Sequence, residues 1–160
     1  MKKLLILSVI LVLTAMSVGA KDCFSSIDAK STPDFISSLP MDVSSCESAF
    51  PFPFRNERVQ VNVQMDSGSA EQFHAVIEKG KLTSVDKGLI GGATYDVSVP
   101  ECEFSALLER MDAGVAGKLY VDGKLVVKPV GFLKKMKFGV AKSILKRAAK
   151  RSAKDISISC

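Results

Sequence analysis

Apolar and polar residues alternate between Glu57 and Pro100, and this alternation restricts the fold more than any other feature of the chain. Val59, Val61 and Val63 are interleaved with Arg58, Gln60, Asn62 and Gln64. Phe73, Ala75 and Ile77 repeat the pattern, Leu82 to Val85 gives a weaker segment, and Tyr95, Val97 and Val99 give a fourth. A period of two places the apolar members on one face of a strand and the polar members on the other. MDSGSAE (Met65 to Glu71) and EKGK separate the first three segments as turns, and GLIGG (Gly88 to Gly92) is a flexible link. The reading is four strands in a meander, with one wet face and one apolar face that needs a cover.

The cover follows in sequence. Pro100 ends the last strand and suits a first helical position, and Glu101 and Glu103 fall where the helix dipole favours anions. Phe104, Leu107, Leu108 and Met111 stand at i, i+3, i+4 and i+7, one apolar helical stripe. Asp112 to Gly114 interrupts the helix, Val115 to Tyr120 resumes it, and VDGKL contains the Asp-Gly of a tight turn. Leu125 and Val127 then share a face of a fifth strand ended by Pro129. Upstream, residues 21–56 read as an irregular lead-in with one short helix in STPDFISSLP, capped by Ser31 or Thr32 and ended by Pro40. FPFPF (Phe50 to Phe54) is neither regular helix nor central strand.

Charge is divided unevenly. Residues 21–133 hold 11 Lys and Arg against 16 Asp and Glu, whereas residues 134–154 hold nine cations and no acid. The net charge of +5 therefore belongs to the tail, which argues against a nucleic-acid-binding face spread over the fold. Within the tail, Phe132, Met136, Val140, Ile144 and Ala148 recur every four residues, so the segment is an amphipathic helix whose apolar stripe is strongest in its first half. Lys134, Lys135, Lys137, Lys142, Lys146 and Arg147 are candidates for docking on an anionic membrane surface. A solvated cationic face of a packed helix is the plainer alternative. Nucleic-acid binding is disfavoured because no stacking aromatics interleave with the lysines.

Residues 1–20 have the pattern of a cleaved signal peptide: Lys2 and Lys3, an apolar run from Leu4 to Met16, then Val18-Gly19-Ala20. The expectation is export, with a secreted or extracytoplasmic mature chain. Cys23, Cys46, Cys102 and Cys160 make an even count in such a chain, which suggests disulfides. Three pairings are open, with Cys23–Cys46 and Cys102–Cys160 the weakly preferred one.

Residues 95–128 carry a resemblance. Tyr95-Asp96-Val97-Ser98-Val99 leads into a helix with Phe104, Ala106, Leu107 and Leu108, and Gly123-Lys124-Leu125-Val126-Val127 follows a short helix. This order resembles the sterol carrier protein (type two) lipid-binding domain, over roughly residues 57–140. KPVGFLKKMKFG, with Pro129 in the turn, departs from the family's usual turn before its C-terminal helix. The resemblance implies an α+β fold: a twisted five-stranded sheet with helices on one face, closed by the C-terminal amphipathic helix. It also implies an apolar tunnel for a sterol, a fatty acyl chain or a phospholipid tail. Phe104, Leu107, Leu108, Met111, Phe132 and Met136 are the candidate lining residues.

Support for catalysis is thin. His74 is the single imidazole, so a multi-histidine metal site within one chain is excluded, and its parity places it on the wet face. No phosphate-binding loop or dinucleotide fingerprint follows the glycine-rich links. Glu101 and Glu103 read as dipole complements rather than an acid/base dyad. The expected organisation is a signal peptide (1–20), the lead-in (21–56), a sterol-carrier-like domain with the basic helix (57–154) and a short tail (155–160). The expected function is non-enzymatic, non-covalent lipid carriage, without cofactor or metal. A structural or dimerising module whose basic tail docks on membrane is the alternative.

Overall fold

The structure is a computed structural model that describes residues 31–44, 54–110, 113–152 and 158. Strands β1 (Glu57–Gln64), β2 (Ala70–Glu78), β3 (Lys81–Lys87), β4 (Tyr95–Pro100) and β5 (Val126–Pro129) form one sheet in the order β3-β2-β1-β4-β5. Helices α1 (Thr32–Ser37), α2 (Glu101–Arg110), α3 (Ala113–Val121) and α4 (Phe132–Ser152) complete the described elements. The fold is α+β, as the alternation and the helical stripe imply.

The strand order corrects the meander. β1, β2 and β3 are joined by antiparallel hairpins, but β4 lies beside β1 and parallel to it, with Val61 facing Val97. A parallel neighbour needs a long connection, and β2, β3 and the glycine link together supply one. Gly88 and Gly92 take positive φ, +96° and +69°, which glycine adopts without a side-chain penalty. The link thereby folds back over the polar sheet face. There the Ile90 amide donates to Gln60 Oε1 (2.9 Å), and Gln60 Nε2 donates to the Phe73 carbonyl (3.0 Å). The link's far end is fixed on β1, where the Thr94 amide donates to the Arg58 carbonyl at 2.7 Å.

The two faces differ as the parity requires. Val59, Val61, Val63, Phe73, Ala75, Ile77, Tyr95, Val97 and Val99 are all buried on the helix side. On the other side Gln72 donates to Asn62 (2.8 Å), and Asn62 donates to Asp96 (2.6 Å), so three strands share a row of polar side chains. His74 belongs to this wet face, its Nδ1 3.1 Å from the Gly88 carbonyl and its Nε2 3.8 Å from Asp86.

The lead-in contributes to the core. Helix α1 begins where Ser31 Oγ accepts from the Asp34 amide (3.3 Å), with Pro33 in its first turn. Its Phe35 ring lies 5.1 Å from Phe73 and 5.4 Å from Phe104. Met41 bridges to β3 at Val85, and Met41, Val43 and Phe54 are buried. Phe50 and Phe52 of the FPFPF stretch lie outside the described residues. Thr32 ties α1 to α2: its hydroxyl donates to the Glu101 carbonyl (2.9 Å), and its amide donates to Ser105 Oγ (3.0 Å). Thr32 is fully buried, so Thr32→Val, which keeps the shape and loses the hydroxyl, is expected to cost about 1–2 kcal/mol. A shift in the urea unfolding midpoint would measure it.

Cys102, in the first turn of α2, is disulfide-bonded. Cys23, Cys46 and Cys160 lie outside the described residues, as does the signal-like segment 1–20.

Candidate functional site

The five described members of the six expected lining residues separate into two places. Phe104, Leu107 and Leu108 are buried in the main core, and Phe104 completes a ring cluster with Phe35 and Phe73, its centroid 5.6 Å from Phe73. On that side of the sheet they join one buried apolar cluster with the strand residues. Phe132 and Met136 are instead on the surface, 75% and 62% exposed. Met111 lies outside the described residues. The structure thus does not gather the set around one space.

What it does gather is an apolar surface at the junction of β5 and α4. Val126 (38% exposed), Val130 (52%) and Leu133 (71%) lie near Phe132 and Met136 in the chain, so this short stretch presents five exposed large apolar residues. Its geometry follows from local sequence. β5 is an edge strand, and Pro129 ends it. The Val130 amide donates to the Thr94 carbonyl (2.9 Å), and Gly131 takes φ +91° to turn the chain into α4, whose first turn closes with the Lys135 amide on the Gly131 carbonyl (3.1 Å). Helix α4 then packs mainly along α3, with Phe138 buried at that contact.

The cationic candidates divide as well. Lys135, Lys142 and Lys146 are exposed, and the Arg147 side chain is outside the described ones. Lys134 turns inward. Its Nζ lies 2.5 Å from Glu57 Oε2, and its side chain is 19% exposed against 1% for Glu57. Lys137 Nζ approaches the other oxygen, Glu57 Oε1, at 4.0 Å. The physical reason is Glu57 itself: a buried carboxylate needs a cation, and its place by the first turn of α4 also suits the positive end of the helix dipole. Lys134 is therefore a bolt between helix and sheet and not a free docking charge.

Beside this pair stands Tyr95, fully buried at the start of β4. Its ring lies 6.4 Å from Phe138, which lies 6.1 Å from Tyr120. Burial, and then the Glu57 charge, push the pKa of the Tyr95 phenol well above its ordinary value, so it remains a hydrogen-bond donor. Neither Glu57 nor Tyr95 is among the expected site residues. The signal for Glu57 was available, since it shares parity with Val59 and Val61 and is thus a charge on the apolar register.

Two clefts open elsewhere. One of about 310 Å³ lies between the end of α3 and the second half of α4, among Lys118, Val121, Asp122, Lys146, Ala149 and Lys150. The other, of about 730 Å³, lies where Met41 to Ser44 meet Lys81 to Ser84. Among the described residues, neither includes Phe104, Leu107, Leu108, Phe132 or Met136. Glu101 and Glu103 have structural partners: Glu101 Oε2 accepts from the Asp66 amide (2.8 Å), and Glu103 pairs with Lys124 (3.4 Å). Among the described residues no group of three or more His, Cys, Asp or Glu could hold a metal ion, and no helix is long and apolar enough to cross a membrane.

No protein-family model matches the sequence, and no curated protein matches it. Solved structures do. The likeness is to sterol carrier proteins of type two. Sterol carrier protein 2 from Yarrowia lipolytica in its apo form is 21% identical with a TM-score of 0.45, over 73% of this chain and 88% of that one. Palmitated SCP2L2 from Aedes aegypti is 17% identical with a TM-score of 0.38, over 77% and 95% of the two chains. The sterol carrier protein domain 2 of Helicoverpa armigera is 14% identical with a TM-score of 0.40, over 94% and 92%.

Proposed function

We propose that this protein is an exported, non-enzymatic lipid carrier that meets membranes through the first turns of α4 and holds an apolar lipid non-covalently beneath that helix. The observation that carries the reading is the exposed run Val130, Phe132, Leu133 and Met136, next to the exposed cation Lys135. Large exposed apolar patches on a protein surface mark sites of interaction. An amphipathic helix with Lys on its flank suits the boundary between headgroups and acyl chains of an anionic membrane. Exchange of a lipid then replaces hydrated hydrocarbon by protein contact, about 0.8 kcal/mol for each methylene buried. The sequence resemblance to the sterol-carrier domains supports the same reading, and the N-terminal signal pattern supports export.

The test is vesicle binding. The full mature chain is expected to sediment with phosphatidylcholine vesicles that contain phosphatidylserine, less at high salt. The triple variant Phe132→Ser, Leu133→Ser, Met136→Ser is expected to lose about tenfold or more of that binding, while its folding stability stays within about 0.5 kcal/mol of the parent. Equal binding by parent and variant would overturn the proposal. The same face next to an edge strand also favours a second reading, a homodimer. A lipid-free dimer that the triple variant converts to monomer would select it.

A further inference from the structure

The cleft of about 310 Å³ between α3 and α4 takes no part in the lipid surface. Its walls are Lys118, Val121 and Asp122 at the end of α3, and Lys146, Ala149 and Lys150 in the second half of α4. Both walls stand on helices packed along each other, with Tyr120 and Phe138 in ring contact at 6.1 Å. The apolar members lie at two depths: Val121 is 53% exposed at the lip, and Ala149 is 7% exposed below it. The charged members are three cations and one acid. That acid is already answered within its own wall, because Lys118 Nζ lies 2.7 Å from the Asp122 carboxylate. Lys146 and Lys150, one helical turn apart on α4, are exposed. Their own helix offers them no acid, since residues 134–154 contain none. The cleft therefore has an apolar floor and a cationic rim on the α4 side.

We infer that this cleft is a docking site for a short acidic segment of another protein, which seats one or two aliphatic side chains between Val121 and Ala149 and sets its carboxylates against Lys146 and Lys150. Charge complementarity selects an acidic partner. The apolar floor selects aliphatic groups between the acids, the way a segment with spaced apolar anchors lies in a groove. Size selects side chains over a whole lipid, because the volume is at the bottom of the range for small-molecule sites, about 300–1,000 Å³. Shape selects a segment over a bilayer: a membrane surface touches what protrudes, whereas the Ala149 floor is recessed and is reached only by a projecting side chain. The Lys118–Asp122 pair turns the segment's acids toward the α4 wall, since Asp122 repels them from the α3 side. This surface is separate from the exposed apolar turns. Met136 and Lys146 are ten residues apart, about 15 Å along the helix, so α4 presents a lipid-facing start and a partner-facing end. The inference stands or falls independently of lipid carriage.

The experiment titrates the full mature chain into a fluorescein-labelled peptide of two leucines flanked on each side by two glutamates, read by fluorescence anisotropy. The wild type is expected to bind it about tenfold or more tightly than the same peptide with glutamines for glutamates, and to lose that margin at high salt. Val121→Asp changes an exposed position and is expected to keep the thermal midpoint, while weakening peptide binding about fivefold or more. The double variant Lys146→Glu, Lys150→Glu is expected to weaken it about tenfold or more. Equal binding of the two peptides, or no binding of either, overturns the inference. So does a loss confined to the lysine variant, which would be charge attraction without a seat. The same Val121→Asp variant reads the other occupants. If it loses binding to phosphatidylserine vesicles as strongly as it loses the peptide, the cleft is a membrane contact. If the wild type is a dimer in sedimentation velocity and this variant a monomer, the occupant is a second copy. Either result overturns the inference.

Discussion

Phe104→Ala is expected to lower the folding free energy by about 3–5 kcal/mol. The ring is buried between Phe35 and Phe73, with edge-on and tilted contacts at 5.4 and 5.6 Å. Its loss would leave a hole that three elements, α1, β2 and α2, share and cannot all close. Phe132→Ala, on the same scale, is expected within about 0.5 kcal/mol, as for other exposed positions. The comparison separates the two halves of what looks in sequence like one lipid-facing set. If Phe104→Ala cost under about 1 kcal/mol, the Phe35–Phe73–Phe104 region would be a loosely filled chamber rather than core. Chemical denaturation of both variants measures the difference.

The second large effect falls on the bolt. Lys134→Met leaves the Glu57 carboxylate buried with Lys137 as its remaining cation, and removing one partner of a buried pair costs about 3 kcal/mol or more. Glu57→Gln is expected to cost less, about 1 kcal/mol. Gln keeps the shape and carries no charge, and the Lys134 ammonium, already partly exposed, can swing into water. The double variant is expected to be more stable than Lys134→Met alone, so the two changes are non-additive. A Lys134→Met variant as stable as wild type would show that α4 is not pinned at this point. In that case opening of the helix would need no charge separation.

Most of the fold was written in local pattern. Parity alone assigns Val59, Val61, Val63 and their counterparts to the buried face, and the stripe of Phe104, Leu107 and Leu108 assigns α2 to the cover. Ser31 and Pro33 mark the start of α1 within a residue. Strand order was not legible, because a hairpin turn reports only its own two strands. The decision that β4 joins β1 rests on long-range bonds such as Thr94 with Arg58. The site was legible only in part. Periodicity groups Phe132 and Met136 with a packed stripe, yet it carries no information on how much neighbouring surface remains to cover them. Glu57 shows the converse. Its charge on an apolar register was visible, but its partner, Lys134, is far along the chain and looked like any other tail lysine.

The parallel pairing at the centre of the sheet has a kinetic consequence. Arg58 and Thr94, which are bonded across β1 and β4, are 36 residues apart in sequence. The β1-β2-β3 hairpins therefore assemble from nearby residues, whereas the central pair must wait for a long loop to close, the kind of step that slows folding. Until β4 pairs, one margin of β1 is bare, and a bare strand margin invites mispairing with another copy.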